Sequence, residues 1–139
     1  MSAPTDALQA ALAAEHAAVF VYGALGGQTS QSDDPILYAQ VTDAYVIHRS
    51  RRDRLISLIE DDGRQPVAAE PGYDLPADLS TPAAVAGRAR ELERGCSATY
   101  AFVVASTTGQ DRKWAIEVLL DTAVRSLGFG GKPERLPGL

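Results

Sequence analysis

The stretch Leu8–Tyr22, LQAALAAEHAAVFVY, decides the fold of this chain. Its apolar positions recur at steps of three and four residues and comprise Leu8, Leu12, Val19 and Tyr22. This spacing places them on one face of a helix, and Glu15 falls on the same face. Because a carboxylate inside a protein core must be paired with another polar group, Glu15 predicts a polar partner in the interior.

Cap and breaker residues divide the chain into four helices. Asp34–Pro35 and Thr81–Pro82 each pair a capping residue with proline at the first helical position. Glycines at Gly26–Gly27 and Gly63 end the first two helices. The predicted helices cover about residues 6–25, 35–62, 82–106 and 112–127 of a single domain, 1–139.

The lengths of the connections predict the topology. Helices one and two, and helices three and four, are joined by short loops, which favour antiparallel hairpins. The segment 64–80 is longer and rich in proline, and a crossover along the bundle explains its length. The sequence therefore predicts an all-α, ferritin-like four-helix bundle with a long crossover between helices two and three.

The other three helices repeat the pattern seen around Glu15. Each places a metal-capable residue near the middle of its predicted inward face: His48, Glu93 and Asp121. These faces also carry Tyr45, Arg52, Cys96, Trp114 and Arg125. Carboxylates and imidazole suit iron or manganese. The four candidate metal ligands are Glu15, His48, Glu93 and Asp121.

The chain resembles the ferritin-like superfamily, and more closely a bacterial ferritin-like family of unknown function. The resemblance rests on residues 10–22, on 45–54 (YVIHRSRRDR), on 92–100 (LERGCSATY), and on 121–127 with the Pro-Gly-Leu at 137–139. It implies a di-metal centre with single glutamates at Glu15 and Glu93. His48 then matches the histidine of one Glu-x-x-His motif, and Asp121 stands for the glutamate of the other.

Two departures predict that this centre is degenerate. Tyr45 occupies the glutamate position three residues before His48, and Val124 occupies the histidine position three residues after Asp121. At most four of six ligands remain. Arg52 and Arg125 are predicted to point toward the same region, where a guanidinium competes with a metal cation for carboxylates.

Three functions stay open on the sequence. The favoured one is a non-catalytic bundle with no cofactor, in which the acidic residues, His48, Tyr45, Arg52 and Arg125 form a buried polar network. The second is an oxidoreductase or storage protein that binds iron or manganese through a reduced ligand set. The third is a small-molecule binder in which Glu15, His48 and Arg125 contact a ligand in the vacated cavity.

Composition limits partners and compartment. A net charge of -5 argues against a nucleic-acid partner. The single cysteine, Cys96, excludes an intrachain disulfide and fits a reducing compartment. The charge-free run between His16 and Asp33 is short and broken by glycine, so no membrane span or secretory signal is expected. We expect a cytoplasmic protein, and the sequence leaves a homodimer open.

Overall fold

A computed structural model describes residues 2–139, and these residues form four α-helices and no strand. The helices are α1 (Ala3–Gln28), α2 (Pro35–Asp61), α3 (Pro82–Ser106) and α4 (Gly109–Gly128). The predicted count of four helices is confirmed. The helix α1 extends three residues beyond the prediction at each end, and α4 begins three residues earlier.

The helix ends follow local chemistry. The hydroxyl of Thr81 accepts a hydrogen bond from the Ala84 N–H at 3.1 Å and caps α3. The cap of α1 is Ser2, whose hydroxyl accepts from the Thr5 N–H at 3.4 Å. After α2 the chain turns at Gly63, where φ is +76° and a side chain would be strained.

The helix α1 lies at the centre of the packing. It packs against both α2 and α3, while α4 packs chiefly against α3, and α2 and α3 touch little. The Thr5 hydroxyl donates to Asp62 at 2.7 Å, so the start of α1 lies beside the end of α2. The core is built largely from apolar residues of α1 together with those of its two neighbours.

The segment between α2 and α3 lies along α1. Its first residues are bound by Gln9, whose side chain donates to the Gln65 carbonyl and accepts from the Val67 N–H, both at 2.8 Å. Farther along α1, the rings of Phe20 and Tyr73 lie 5.5 Å apart. The segment therefore runs along α1 from Gln9 toward Phe20.

Two helices differ from their predicted inward faces at particular positions, although His48 and Val118 lie inward as predicted. On α2 the buried positions are Ala44 and Arg51, not Tyr45 and Arg52. On α4 the inward face consists of smaller residues than expected, namely Ala115, Val118, Thr122 and Ser126. Each difference is one residue, or about 100° around a helix, and it changes which polar groups meet in the core.

The helix α1 is long and apolar enough to cross a membrane when judged by length and composition alone. Within the bundle, however, the rest of the protein buries 44% of the most apolar 18-residue stretch of this helix. A central core helix meets the same criterion, because its apolar surface is covered by its neighbours. The criterion is therefore weak support for a membrane span here.

Candidate functional site

Three helices bring one ionisable side chain each to a shared buried point. Glu15 of α1, His48 of α2 and Glu93 of α3 are all 0% exposed. The Nδ1 atom of His48 lies 2.8 and 3.0 Å from the two carboxylate oxygens of Glu15. Its Nε2 atom lies 2.9 Å from Oε2 of Glu93. The imidazole therefore bridges two carboxylates; we call these three residues the core triad.

The geometry of the core triad favours a protonated histidine. Each ring nitrogen faces a carboxylate oxygen, and only the imidazolium can donate from both nitrogens. Burial by itself lowers the pKa of His48, but the hydrogen bonds and charges of Glu15 and Glu93 outweigh it and raise the pKa to about 9. At neutral pH the core therefore holds a cation between two acidic side chains.

Glu93 is surrounded by hydrogen-bond donors. The Tyr22 hydroxyl donates to its Oε2 atom, and the Thr122 hydroxyl donates to its Oε1 atom at 2.6 Å. Burial works to raise the pKa of Glu93, yet His48, Thr122 and Tyr22 together hold it below its usual value. The Tyr22 ring also stacks on the imidazole of His48 at 5.2 Å between ring centres. These contacts favour an ionised Glu93 carboxylate.

Two protonated side chains lie on the Glu15 side of the core triad. The Cys96 thiol lies 3.9 Å from Oε1 of Glu15. Burial first, and the charge of Glu15 next, raise the pKa of both Cys96 and Tyr100. The Cys96 thiol is thus inert at neutral pH. Within residues 2–139 the buried Tyr100 hydroxyl has no hydrogen-bond partner.

A second polar cluster lies at the edge of the core. The guanidinium of Arg51, only 6% exposed, binds Asp121 through Nη2. The same carboxylate accepts from Nε of Arg125 at 2.7 Å, and Arg125 Nη1 donates to Asp43 at 2.8 Å. Burial opposes the charge on Arg125, but Asp43 and Asp121 raise its pKa. This edge cluster joins α2 to α4.

The structure brings three of the four candidate metal ligands together and separates the fourth. Glu15, His48 and Glu93 form the core triad. Asp121 does not join them, because its side chain is 42% exposed and is held by Arg51 and Arg125. The neighbouring residue, Thr122, occupies the core position instead.

The predicted buried network is wrong at two of its members, Arg52 and Tyr45. Arg52 turns outward and binds its neighbour Asp53 at 2.9 Å. Tyr45 is partly buried, and its ring contacts the guanidinium of Arg49 rather than the core triad. Arg125 does lie against α2, but in the edge cluster.

Sequence reasoning missed three functional side chains: Tyr22, Arg51 and Thr122. The sequence places Tyr22 on the inward face of helix one but gives it no polar role. A signal for Thr122 existed, because the small residues Ala115, Thr122 and Ser126 follow one helical stripe with Val118.

The side chains present do not fit a ferritin-like di-metal centre. Of the motif positions, Tyr45 packs at the margin of the core against Arg49, Asp121 is bound to two arginines, and Val124 is 66% exposed. The Arg51 guanidinium is bound to Asp121, and its positive charge also acts on Cys96, whose pKa it works to lower. A smaller set remains, since one ligand atom each from Glu15, His48 and Cys96 lie within 4.8 Å of one another.

The comparisons with known proteins agree with this fold. Residues 7–139 match the protein-family model described as "Domain of unknown function (DUF4439)". The chain is similar to the crystal structure of a conserved hypothetical protein, rv2844, from Mycobacterium tuberculosis. That similarity has 31% identity and a TM-score of 0.81, and it covers 91% of this chain and 87% of that one. No curated protein matches.

Proposed function

The chain belongs to the DUF4439 family, and from that premise we propose that it is a non-catalytic ferritin-like bundle in which the core triad stands in place of a di-metal centre. Its function is binding or assembly, and its core requires no metal. The observation that carries the proposal is the bridging of Glu15 and Glu93 by both ring nitrogens of His48.

The connections support the ferritin-like arrangement. The segment after α2 contacts α1 at Gln9 and then at Phe20, as a crossover along the bundle requires. A crossover in that direction makes α3 run parallel to α2. Contacts between α1 and α3 agree with it, since Glu93 meets Tyr22 while the later Cys96 meets the earlier Glu15. One long central connection distinguishes this arrangement from a plain up-down bundle.

The charge balance of the core supports the non-catalytic reading. A di-metal centre supplies several positive charges to its carboxylates, and losing it would leave those carboxylates buried and unpaired. Here the His48 imidazolium and the Arg51 guanidinium supply positive charge from the protein itself. Thr122 and Tyr22 complete the hydrogen bonding of Glu93. Both buried carboxylates of the core triad thus have partners within the protein, although Nη1 of Arg51 and the Tyr100 hydroxyl have no hydrogen-bond partner among residues 2–139.

Metal analysis tests the proposal. The protein is purified without chelator, and its iron, manganese and zinc are measured per chain. We expect far less than one equivalent of each, and we expect no rise in melting temperature when each metal is added. One equivalent of metal that persists in Glu60→Ala, an exposed control, but is lost in Glu15→Ala would contradict the proposal.

A single-ion site is the second candidate, favoured by the convergence of Glu15, His48 and Cys96. A thiolate and an imidazole with one carboxylate suit zinc better than iron or manganese. Binding would require His48 to lose a proton and Cys96 to ionise. Zinc that binds stoichiometrically to the wild type and not to Cys96→Ser would establish this candidate, and equal zinc content in the two would exclude it.

A further inference from the structure

A separate candidate site lies outside the core, where the segment 129–139 folds back against α3 and α4. This tail is held closely at two glycines. A Cβ at Gly131 would lie 2.5 Å from the Ser126 hydroxyl oxygen, and one at Gly138 would clash with the Ser97 carbonyl oxygen. Two adjoining cavities open between the tail and the helices, with volumes of about 250 and 560 Å³.

The larger cavity is cationic. Arg90 and Arg94 of α3 face Lys132 of the tail across it, and Glu134 is the one acidic residue in its lining. Within residues 2–139, no carboxylate lies within 4.0 Å of these three cations, unlike the paired arginines of the edge cluster. Like charges one helical turn apart, as in Arg90 and Arg94, are mildly destabilising. Arg90 also donates to the Phe129 carbonyl at 3.2 Å, but that neutral group leaves its charge unbalanced. In a protein of net charge -5, cations without a carboxylate partner that converge on one cavity indicate an anionic ligand.

The smaller cavity is an apolar groove on the outer face of α4. Its floor contains Leu120, Val124 and Leu127, which are 58%, 66% and 42% exposed. The prolines Pro133 and Pro137 of the tail form its other wall. Contiguous exposed apolar side chains of this kind mark binding surfaces.

The two cavities form one continuous site. Arg94, Ser126, Lys132 and Glu134 line both of them. A ligand that satisfies both halves must carry negative charge at one end and an apolar chain at the other. The combined dimensions are those of a small-molecule site, which usually occupies about 300–1,000 Å³.

We propose that this site binds a free single-chain amphiphile with a carboxylate or phosphate head. The head lies between Arg90, Arg94 and Lys132, where guanidinium groups can bind it in bidentate fashion. The chain covers Leu120 and Val124. The site shares no residue with the core triad, and the inference stands independently of the function proposed for the core.

Isothermal titration with decanoate and decyl phosphate, both below their micellar concentrations, tests the site. We expect saturable binding at one site per chain. Arg90→Gln/Arg94→Gln should weaken it by about tenfold or more, as expected for the loss of charge-assisted hydrogen bonds. Leu120→Ser/Val124→Ser should weaken it several-fold. Two matched controls, Arg88→Gln on α3 and Val46→Ser on the exposed face of α2, should bind as the wild type does.

Four results would overturn the inference. They are no saturable binding of either amphiphile, equal binding of inorganic phosphate alone, equal binding of decanol, and equal losses in the control variants. Sedimentation velocity at the same concentrations completes the test. A dimer that dissociates in Leu120→Ser/Val124→Ser would show that the groove is covered by a second copy of the chain, and a monomer supports the amphiphile.

Discussion

At the scale of single residues, His48 pairs with the two buried carboxylates of Glu15 and Glu93. A carboxylate removed from water is costly unless it is paired, and two of them face each other across this core. The imidazolium pairs with both at once, because its two N–H groups point in nearly opposite directions. Glu93 gains further donors from Tyr22 and Thr122, so the stability of the core depends on the protonation of one ring.

The pKa of His48 predicts that stability falls as the solution becomes alkaline. Its pKa is about 9 in the folded protein, against 6.5 for a histidine side chain in the unfolded chain. The stabilisation is fully present below the lower value and is lost as the pH rises through the higher one. We expect the free energy of unfolding to decrease by up to about 3 kcal/mol across this window, on a scale of about 1.4 kcal/mol per pKa unit. Urea unfolding at several pH values from 6 to 9.5 measures this decrease. In His48→Gln the free energy of unfolding should no longer fall with pH across this range.

Removing one carboxylate should be strongly destabilising. Glu15→Ala leaves the His48 imidazolium with a single partner in a site closed to water. We expect a loss of about 3–5 kcal/mol in the free energy of unfolding, the range for breaking a buried ion pair. The matched control is Glu60→Ala on the exposed face of α2, which should change it by about 0.5 kcal/mol or less. Similar losses in the two variants would show that Glu15 is not part of a buried network.

At the scale of helices, the sequence predicts each helix but not always its rotation. Around Glu15 and around Glu93, only one set of apolar residues follows the three- and four-residue spacing of a helix face. These two side chains could therefore be placed from the sequence. On α2 a step of three or four residues from His48 leads to Arg51 or Arg52, and no apolar residue decides between them. On α4 the larger residues Trp114, Asp121 and Arg125 suggested the inward face. The structure instead buries the smaller residues Ala115, Thr122 and Ser126, while the Trp114 ring lies edge-on to the buried Tyr100 ring at 5.8 Å between ring centres.

The neighbouring arginines Arg51 and Arg52 give a direct test of the rotation of α2. Arg51→Ala removes a buried guanidinium and leaves Asp121 with one arginine, so we expect a loss of about 1–3 kcal/mol. Arg52→Ala removes a surface ion pair with Asp53 and should cost about 0.5 kcal/mol or less. Chemical denaturation of the two variants compares them, and a larger loss in Arg52→Ala would contradict the orientation of α2.

Two glycines should respond to alanine with opposite signs. Gly95 lies inside α3 with no atom within 4 Å of an added Cβ, so Gly95→Ala should stabilise the protein by up to about 1 kcal/mol. Gly131→Ala places its Cβ 2.7 Å from the Ser126 carbonyl oxygen and should destabilise it by about 1–3 kcal/mol. Melting curves give the signs. Faster amide exchange in residues 129–139 of Gly131→Ala would locate the effect in the tail.

At the scale of the whole molecule, the polar networks between the helices and the proposed binding site on the surface occupy separate regions of the bundle. The core triad is contributed by α1, α2 and α3, and the edge cluster ties α2 to α4, so these polar contacts link all four helices. The apolar groove and the cationic cavity lie on the outside, between α3, α4 and the tail. The proposed binding site and the core triad therefore lie in separate parts of the bundle and can be tested by separate variants.

The protonation of His48 tests the central claim most directly. We predict that ¹⁵N NMR of the imidazole in metal-free protein shows both ring nitrogens protonated at neutral pH, with a titration midpoint near pH 9. We also predict that adding iron(II), manganese(II) or zinc leaves these signals unchanged. A neutral ring at pH 7 would contradict the account, because a single N–H cannot donate to both Glu15 and Glu93. Loss of a ring proton when one equivalent of metal is added would contradict it as well, because the core would then be a metal site.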